Sequence, residues 1–273
     1  LQAAQDINLN ANVDVVTGDA GTMDILADTG SFTMDGSATL QSEDGDIRIV
    51  AGDDVLDQAV IGDITASNAN VSIETSGSVL DTGDADNEVT ALGLRIVAGK
   101  GVGLLANNSL ERDADAFETA VTTLSVLVRG SDGINIVEAD GLVVDDVTSP
   151  TDSDYSVVVE TVNADGTTTT QTEATQSDVV TVAGDEANGS NGSIVLRTLA
   201  GDLTVHHGTA TDDLSEVGAV VADGSGNILL AAEGEGTSIT AEDDADIRTT
   251  TGHLTLQAAQ DINLNANVDV VTG

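Results

Sequence analysis

LQAAQDINLNANVDVVTG fills positions 1–18, and the same eighteen residues return at 256–273. Chance does not produce an identity of that length, so the chain carries a tandem duplication with an offset of 255 residues. Opening at Leu1 and stopping mid-pattern at Gly273, it reads as one module of a longer polymer plus the start of the next. A repeat of this kind is weighed before any local motif, because it decides the architecture.

A shorter rhythm runs inside the module. Small or polar residues lead into alternating aliphatics: GTMDI at 21–25, GDIRI at 45–49, NVSI at 70–73 and GLRI at 93–96, then GSIVL at 192–196, GNILL at 226–230 and GHLTL at 252–256. The early steps are about two dozen residues, and Leu124 follows Leu94 after thirty. Alternation with period two means strands that bury every second side chain. The inward set is then Met23 and Ile25, Ile47 and Ile49, Val71 and Ile73, Leu94 and Ile96, Ile194 and Leu196, Ile228 and Leu230, and Leu254 and Leu256. Asp46 and Arg48, on the opposite parity, are expected to face water.

A unit this short cannot bury its own aliphatic face. Stacking on a neighbour covers that face and pairs the backbone groups at once. The expected fold is therefore all-β, a parallel β-helix or β-solenoid with coils of about 24 residues and corners at Asn-rich turns such as NLNAN at 8–12. The alternative is a string of β-sandwich domains, which usually repeat near a hundred residues around a buried aromatic. Coils are expected over 1–148 and again over 192–273, continuing into the next module. Between them, 149–191 breaks the rhythm. YSVVVETV at 155–162, then NADG and TTTTQTEATQ, reads as a β-hairpin or flap projecting from the stack, followed by a polar loop.

Composition agrees. Hydrophobic residues make up 40% but aromatics only 1%, namely Phe32, Phe117 and Tyr155, so the core is aliphatic. There is no cysteine, which removes thiol chemistry and Cys-based zinc sites. Seven basic residues face 48 acidic ones, for a net charge of −41. That balance argues against nucleic acid, whose phosphates demand a basic surface, and no apolar run is long enough to span a membrane.

Together, GHLTLQAAQDINLNANV, GDIRIVAGDDV and GNILLAAEGEG resemble the repeats of filamentous hemagglutinin-like exoproteins, large bacterial surface adhesins. The resemblance implies a right-handed winding, export to the cell surface and a stalk-like role. It covers about two thirds of the chain. The coils here are longer than that family's usual repeats, and the acidity is stronger.

Catalytic constellations are weak. His206-His207-Gly208 and several Asp-Asp pairs are present, but neighbouring side chains on a strand point to opposite faces, and nothing sets two carboxylates across one bond. The chain is therefore read as a non-enzyme. Metal binding is the chemistry that survives. Acidic turns offer Asp84, Asp86 and Glu88, then Asp113 and Asp115, then Asp244 and Asp246 as candidate ligands for calcium or another divalent cation. The functional expectation is a structural module of an extracellular or cell-surface fibre. Its partners are further copies of itself, joined in tandem or stacked head to tail. The alternative is an adhesive module whose 149–191 insertion contacts a glycan or a surface receptor.

Overall fold

The computed structural model describes residues 1–83, 86–105, 116–182, 192–207 and 218–272. Among them there are strands, turns and no helix, and all but two strands join one large sheet that curls into a nearly closed barrel. Its pairings are parallel. Met23–Ala27 lies beside Ile47–Ala51, with Met23 opposite Ile47, and Ile47 in turn lies opposite Val71. Val71 pairs with Leu94 and Leu94 with Leu124. The two-dozen-residue step is thus the distance along the chain from a strand to its hydrogen-bonded neighbour.

The first round contains three short strands, Gln2–Ala3, Ile7–Leu9 and Asp14–Val16. Each is covered by a strand of the next round: Gln2 by Leu26, Ile7 by Phe32 and Val15 by Leu40. The last round repeats the plan with Leu254–Ala258, Ile262–Leu264 and Val270–Thr272. Inward side chains of successive rounds form one continuous aliphatic core. Ile25, Ile47, Ile49, Val71, Ile73, Leu94, Ile96, Ile194, Leu196, Ile228 and Leu230 are buried in it with Met23, whereas Leu254 and Leu256, in the final round, are half-buried. Phe32 and Phe117 are fully enclosed.

Midway, the rounds change sides. Gly133–Glu138 lies above two separate pieces, Gly101–Val102 and the start of Phe117–Val128. Conversely, Leu142–Val144 and Val179–Thr181 share the far end of Phe117–Val128. The long side of the lower rounds is therefore covered by the two short sides of the upper rounds, which amounts to half a turn about the stacking axis. Eight steps lead from Ile7 through Phe32, Ala59, Val79, Val102, Ile134, Ile194 and Ile228 to Leu254. Nine lead from Ala3 through Ala27, Ala51, Thr75, Ala98, Val128, Thr181, Ala222 and Thr249 to Thr272. At ~4.8 Å per strand spacing, these successive pairings add up to roughly 41 Å from a residue of the first eighteen to its duplicate.

Corners are built from two devices. Asn12 and its duplicate Asn267 adopt left-handed φ values of 59° and 60°, a conformation Asn tolerates. A second device joins a hydroxyl to a glycine three residues on. Ser42 Oγ accepts from Gly45 N–H at 3.1 Å and donates to the Gly21 carbonyl of the round below at 3.0 Å. Thr249 Oγ1 does the same with Gly252 at 3.1 Å and Gly226 at 2.6 Å. The glycine is required by crowding between rounds, since a Cβ on Gly45 would stand 2.2 Å from the Gly21 carbonyl oxygen.

Gly45→Ala is expected to destabilise the chain by about 1–3 kcal/mol, the usual cost of overpacking. Gly18→Ala, where nothing lies within 4 Å, is expected to leave the urea midpoint unchanged. Equal midpoints for the two variants would contradict the crowding argument.

Candidate functional site

Tyr155–Val162 and Thr168–Ala174 form the antiparallel pair outside the large sheet. They do not project. The first of the two strands lies along the outer face of Met23–Ala27, Ile47–Ala51 and Asp63–Thr75, and Val157 and Val159 are fully buried beneath it. This corrects the expectation for Asp46 and Arg48. Asp46 is 2% exposed, and the Arg48 side chain is 17% exposed. Parity does turn them outward, but the hairpin covers the face they occupy.

A polar seam holds the hairpin down. Asp46 Oδ2 accepts from Ser149 Oγ at 2.6 Å and from Val158 N–H at 2.9 Å, while Oδ1 accepts from Asn70 N–H at 2.9 Å. Asn70 Nδ2 donates to the Thr148 and Ser156 carbonyls at 2.7 and 2.9 Å. Thr161 Oγ1 donates to Asp24 Oδ2 at 2.6 Å. At the centre, Glu173 of the outer strand accepts from Arg48 Nε and lies 3.6 Å from Arg95 Nη1. Arg48 also donates to Asp24 at 2.9 Å, and Arg95 to Ser72 at 2.9 Å. Burial works against the charge on Arg48, yet its bonds to Glu173 and Asp24 outweigh burial and raise its pKa. Two of the seven basic residues in the chain are thus committed to one carboxylate of the hairpin.

The second polar feature is acidic. Asp81, Glu88 and Glu118 each bring a carboxylate oxygen within 4.8 Å of the others. They come from the end of Ser78–Asp81, the residue before Val89–Ala98 and the second residue of Phe117–Val128. Register explains the meeting, since Val89 pairs with Thr119 and so sets Glu88 beside Glu118. Glu88 Oε2 accepts the Glu118 N–H at 2.7 Å. Burial, with Asp81 and Glu118 beside it, pushes the Glu88 pKa up to about 10. Glu138, fully buried, is pushed up to about 7 by burial, although the Val121 N–H at 3.0 Å and the Thr119 hydroxyl at 2.7 Å favour its charge.

Of the candidate metal ligands, Asp84, Asp113 and Asp115 lie outside the described residues. Glu88 joins the acidic cluster, whose other two members the spacing arguments missed. Asp86 is exposed, as is Asp244 at a corner with φ 63°. Asp246 Oδ1 accepts the Asp269 N–H at 2.8 Å. Neither Asp244 nor Asp246 belongs to a converging set among the described residues.

The two histidines part, as alternation requires. His206 Nδ1 sits 2.7 Å from Asp145 Oδ2, and Nε2 sits 3.6 Å from Glu242. His207 Nδ1 donates to the Asp244 carbonyl at 2.8 Å. Asp145, His206 and Glu242 each follow the last residue of strands that stack on one another, Leu142–Val144, Leu203–Val205 and Ile239–Ala241. They form a polar column along one corner.

Comparison with protein-family models, with curated proteins and with solved structures gave no match.

Two outcomes follow. Glu173→Ala removes the carboxylate that Arg48 and Arg95 share, leaving Arg48 with Asp24 and Arg95 with Glu74 at 3.4 Å, a loss of about 1.5–3 kcal/mol for hydrogen bonds to a charged group. Limited proteolysis should then cut near Asn163–Gly166 faster than in the parent chain, and an unchanged cutting rate would contradict the seam. Glu88 binds its proton far more tightly folded than unfolded. Its contribution to stability is complete below pH ~4.5 and declines as pH rises from there towards 10. Glu88→Gln, neutral at every pH, should melt above the parent by a margin that widens from pH 5 to pH 9; a constant margin would refute the assignment.

Proposed function

We propose that this chain is a module of a β-solenoid fibre, wound as a right-handed parallel β-helix, whose work is mechanical: to extend and stiffen a stalk at the cell surface or outside the cell. The observation that carries this reading is the unbroken run of parallel pairing from Gln2 to Thr272, with identical residues in the first and last rounds. A ladder of that kind has no internal end. Right-handedness follows the general preference for parallel crossovers, and the resemblance to filamentous hemagglutinin-like repeats points the same way.

Chemistry on the outer surface supports a fibre over a catalyst. Counted once per repeat, the module carries −39, with exposed acids such as Glu43, Asp44, Asp243 and Asp261 along a narrow stack. Such a rod repels its neighbours, stays dispersed and gathers divalent counterions such as calcium without a dedicated cage. No cofactor is needed, and nucleic acid and anionic lipid are disfavoured partners. A second reading, adhesion through the insertion, draws on the exposed threonine-rich edge of Thr168–Ala174. Deleting the hairpin separates the two readings: a fibre keeps its shape and loses no attachment, although the face at Asp46 and Arg48 is uncovered, whereas an adhesin loses attachment to its glycan or receptor.

The half-turn exchange of sides has a consequence for such a fibre. The long side that begins the next module lies opposite the long side that carries the hairpin of this one. Hairpins of consecutive modules should therefore alternate across the axis. In small-angle scattering, a two-module chain is expected to be longer than the single module by roughly 41 Å at unchanged cross-section. Labels at the Gly166 turns should image on opposite sides of the rod. Two beads on a linker, or hairpins on one side, would contradict this account.

A further inference from the structure

We infer that His206 and Glu242, backed by Asp145, form a binding site for one divalent cation of the zinc class, set across three successive rounds. The inference stands on this corner alone and does not need the fibre reading. Leu142–Val144, Leu203–Val205 and Ile239–Ala241 stack in register, with Val144 opposite Val205 and Val205 opposite Ala241. Each of the three side chains belongs to the residue that follows its strand. Backbone bonds hold those residues in place: His206 N–H donates to the Val144 carbonyl at 3.0 Å, and Glu242 N–H to the Val205 carbonyl at 2.9 Å. The side chains therefore leave the corner one strand spacing apart, from paired backbone rather than from a free loop.

Asp145 orients the imidazole. Its Oδ2 lies 2.7 Å from His206 Nδ1, and its Oδ1 accepts the Asp146 N–H at 2.8 Å, which steadies the carboxylate. A carboxylate only accepts, so the ring proton sits on Nδ1 and Nε2 keeps its lone pair. Nε2 lies 3.6 Å from Glu242 Oε2. That distance exceeds a hydrogen bond, so a proton does not join the two atoms. A metal ion does. With bonds of ~2.0–2.1 Å to imidazole nitrogen and carboxylate oxygen, the 3.6 Å span sets the angle at the metal to roughly 120°, close to tetrahedral. A carboxylate on the far nitrogen is the common support of a zinc-bound histidine. The His206 and Glu242 side chains are 32% and 52% exposed, so water completes the coordination.

Donor type selects the ion. One imidazole nitrogen and one carboxylate suit zinc and its neighbours, whereas calcium takes six to eight oxygens. The corner is thus distinct from the counterions gathered by an acidic surface, and from the all-oxygen cluster of Asp81, Glu88 and Glu118. His207 takes no part, because its Nδ1 is engaged by the Asp244 carbonyl at 2.8 Å and alternation turns it away from His206. Held between His206 and Glu242, the ion ties the round of Leu203–Val205 to that of Ile239–Ala241 and offsets the charge of Asp145 and Glu242.

The test uses the full chain, stripped with a chelator and titrated with zinc in an excess of calcium while heat is recorded. One zinc is expected to bind despite the calcium, and to raise the melting temperature. His206→Gln should abolish both effects. Glu242→Gln should weaken binding about tenfold or more, and Asp145→Asn about tenfold to a hundredfold by releasing the ring. His207→Gln should change neither. In the imidazole nitrogen NMR spectrum, zinc should shift Nε2 of His206 while Nδ1 keeps its proton, and Asp145→Asn should disturb that proton's placement before zinc is added. No zinc bound in excess calcium, binding that survives His206→Gln or Glu242→Gln, or an equal loss in His207→Gln overturns the inference. Should a variant misfold, the parent chain decides alone: a zinc shift at Nδ1, or at neither nitrogen, overturns it.

Discussion

An exposed strand edge offers a row of N–H and C=O groups that must find partners, and that requirement organises this molecule. Each round closes the edge of the round below and opens another above. The aliphatic interior is a by-product of the same arrangement. A round too thin to bury Met23 or Ile47 alone buries both once the next is in place. Because rounds sit only a strand spacing apart, corners tolerate almost no bulk, hence the glycines at 45 and 252 against the carbonyls of Gly21 and Gly226. Exposed acids such as Glu43, Asp44, Asp243 and Asp261 face water, whereas Glu138 shares the inward parity of Ile134 and Ile136 and is fully buried.

Two departures from plain stacking give the chain its character. One is the change of sides at Phe117–Val128, where a long strand is capped by two short ones. The other is the hairpin, which leaves the stack after Val144 and returns before Val179 to lie on the older rounds. The seam that fixes it joins residues more than a hundred positions apart, such as Asp46 with Ser149 and Arg48 with Glu173. Both departures fall in the same part of the chain. The hairpin occupies the segment that separates the two short strands sharing one long partner.

Much of the repeat was legible because local alternation and the stacking step coincide. Met23, Ile47, Val71, Leu94 and Leu124 are read in order along the chain and stack in that order. The series fails beyond Leu124, which lies under Val144, whereas Ile194 lies above Ile134. The aliphatic triplet at Ile134 and Ile136 carries the same alternation as the others, but sixty residues separate it from its partner, and no periodicity reaches across an inserted hairpin. Parity turns Asp46 and Arg48 outward, but parity alone does not show what covers an outward face. The acidic cluster was within reach: the thirty-residue step from Leu94 to Leu124, applied to Glu88, leads to Glu118. Asp81 comes from a different strand of the round, and only the three-dimensional closure brings it there.

The central claim is that backbone pairing runs along the long axis of the particle. Diffraction from an aligned, partially dried specimen of a multi-module chain tests it most directly. The account predicts a meridional reflection near ~4.8 Å, parallel to the fibre direction. A specimen that aligns but places that spacing across the axis, or lacks it, would contradict the account.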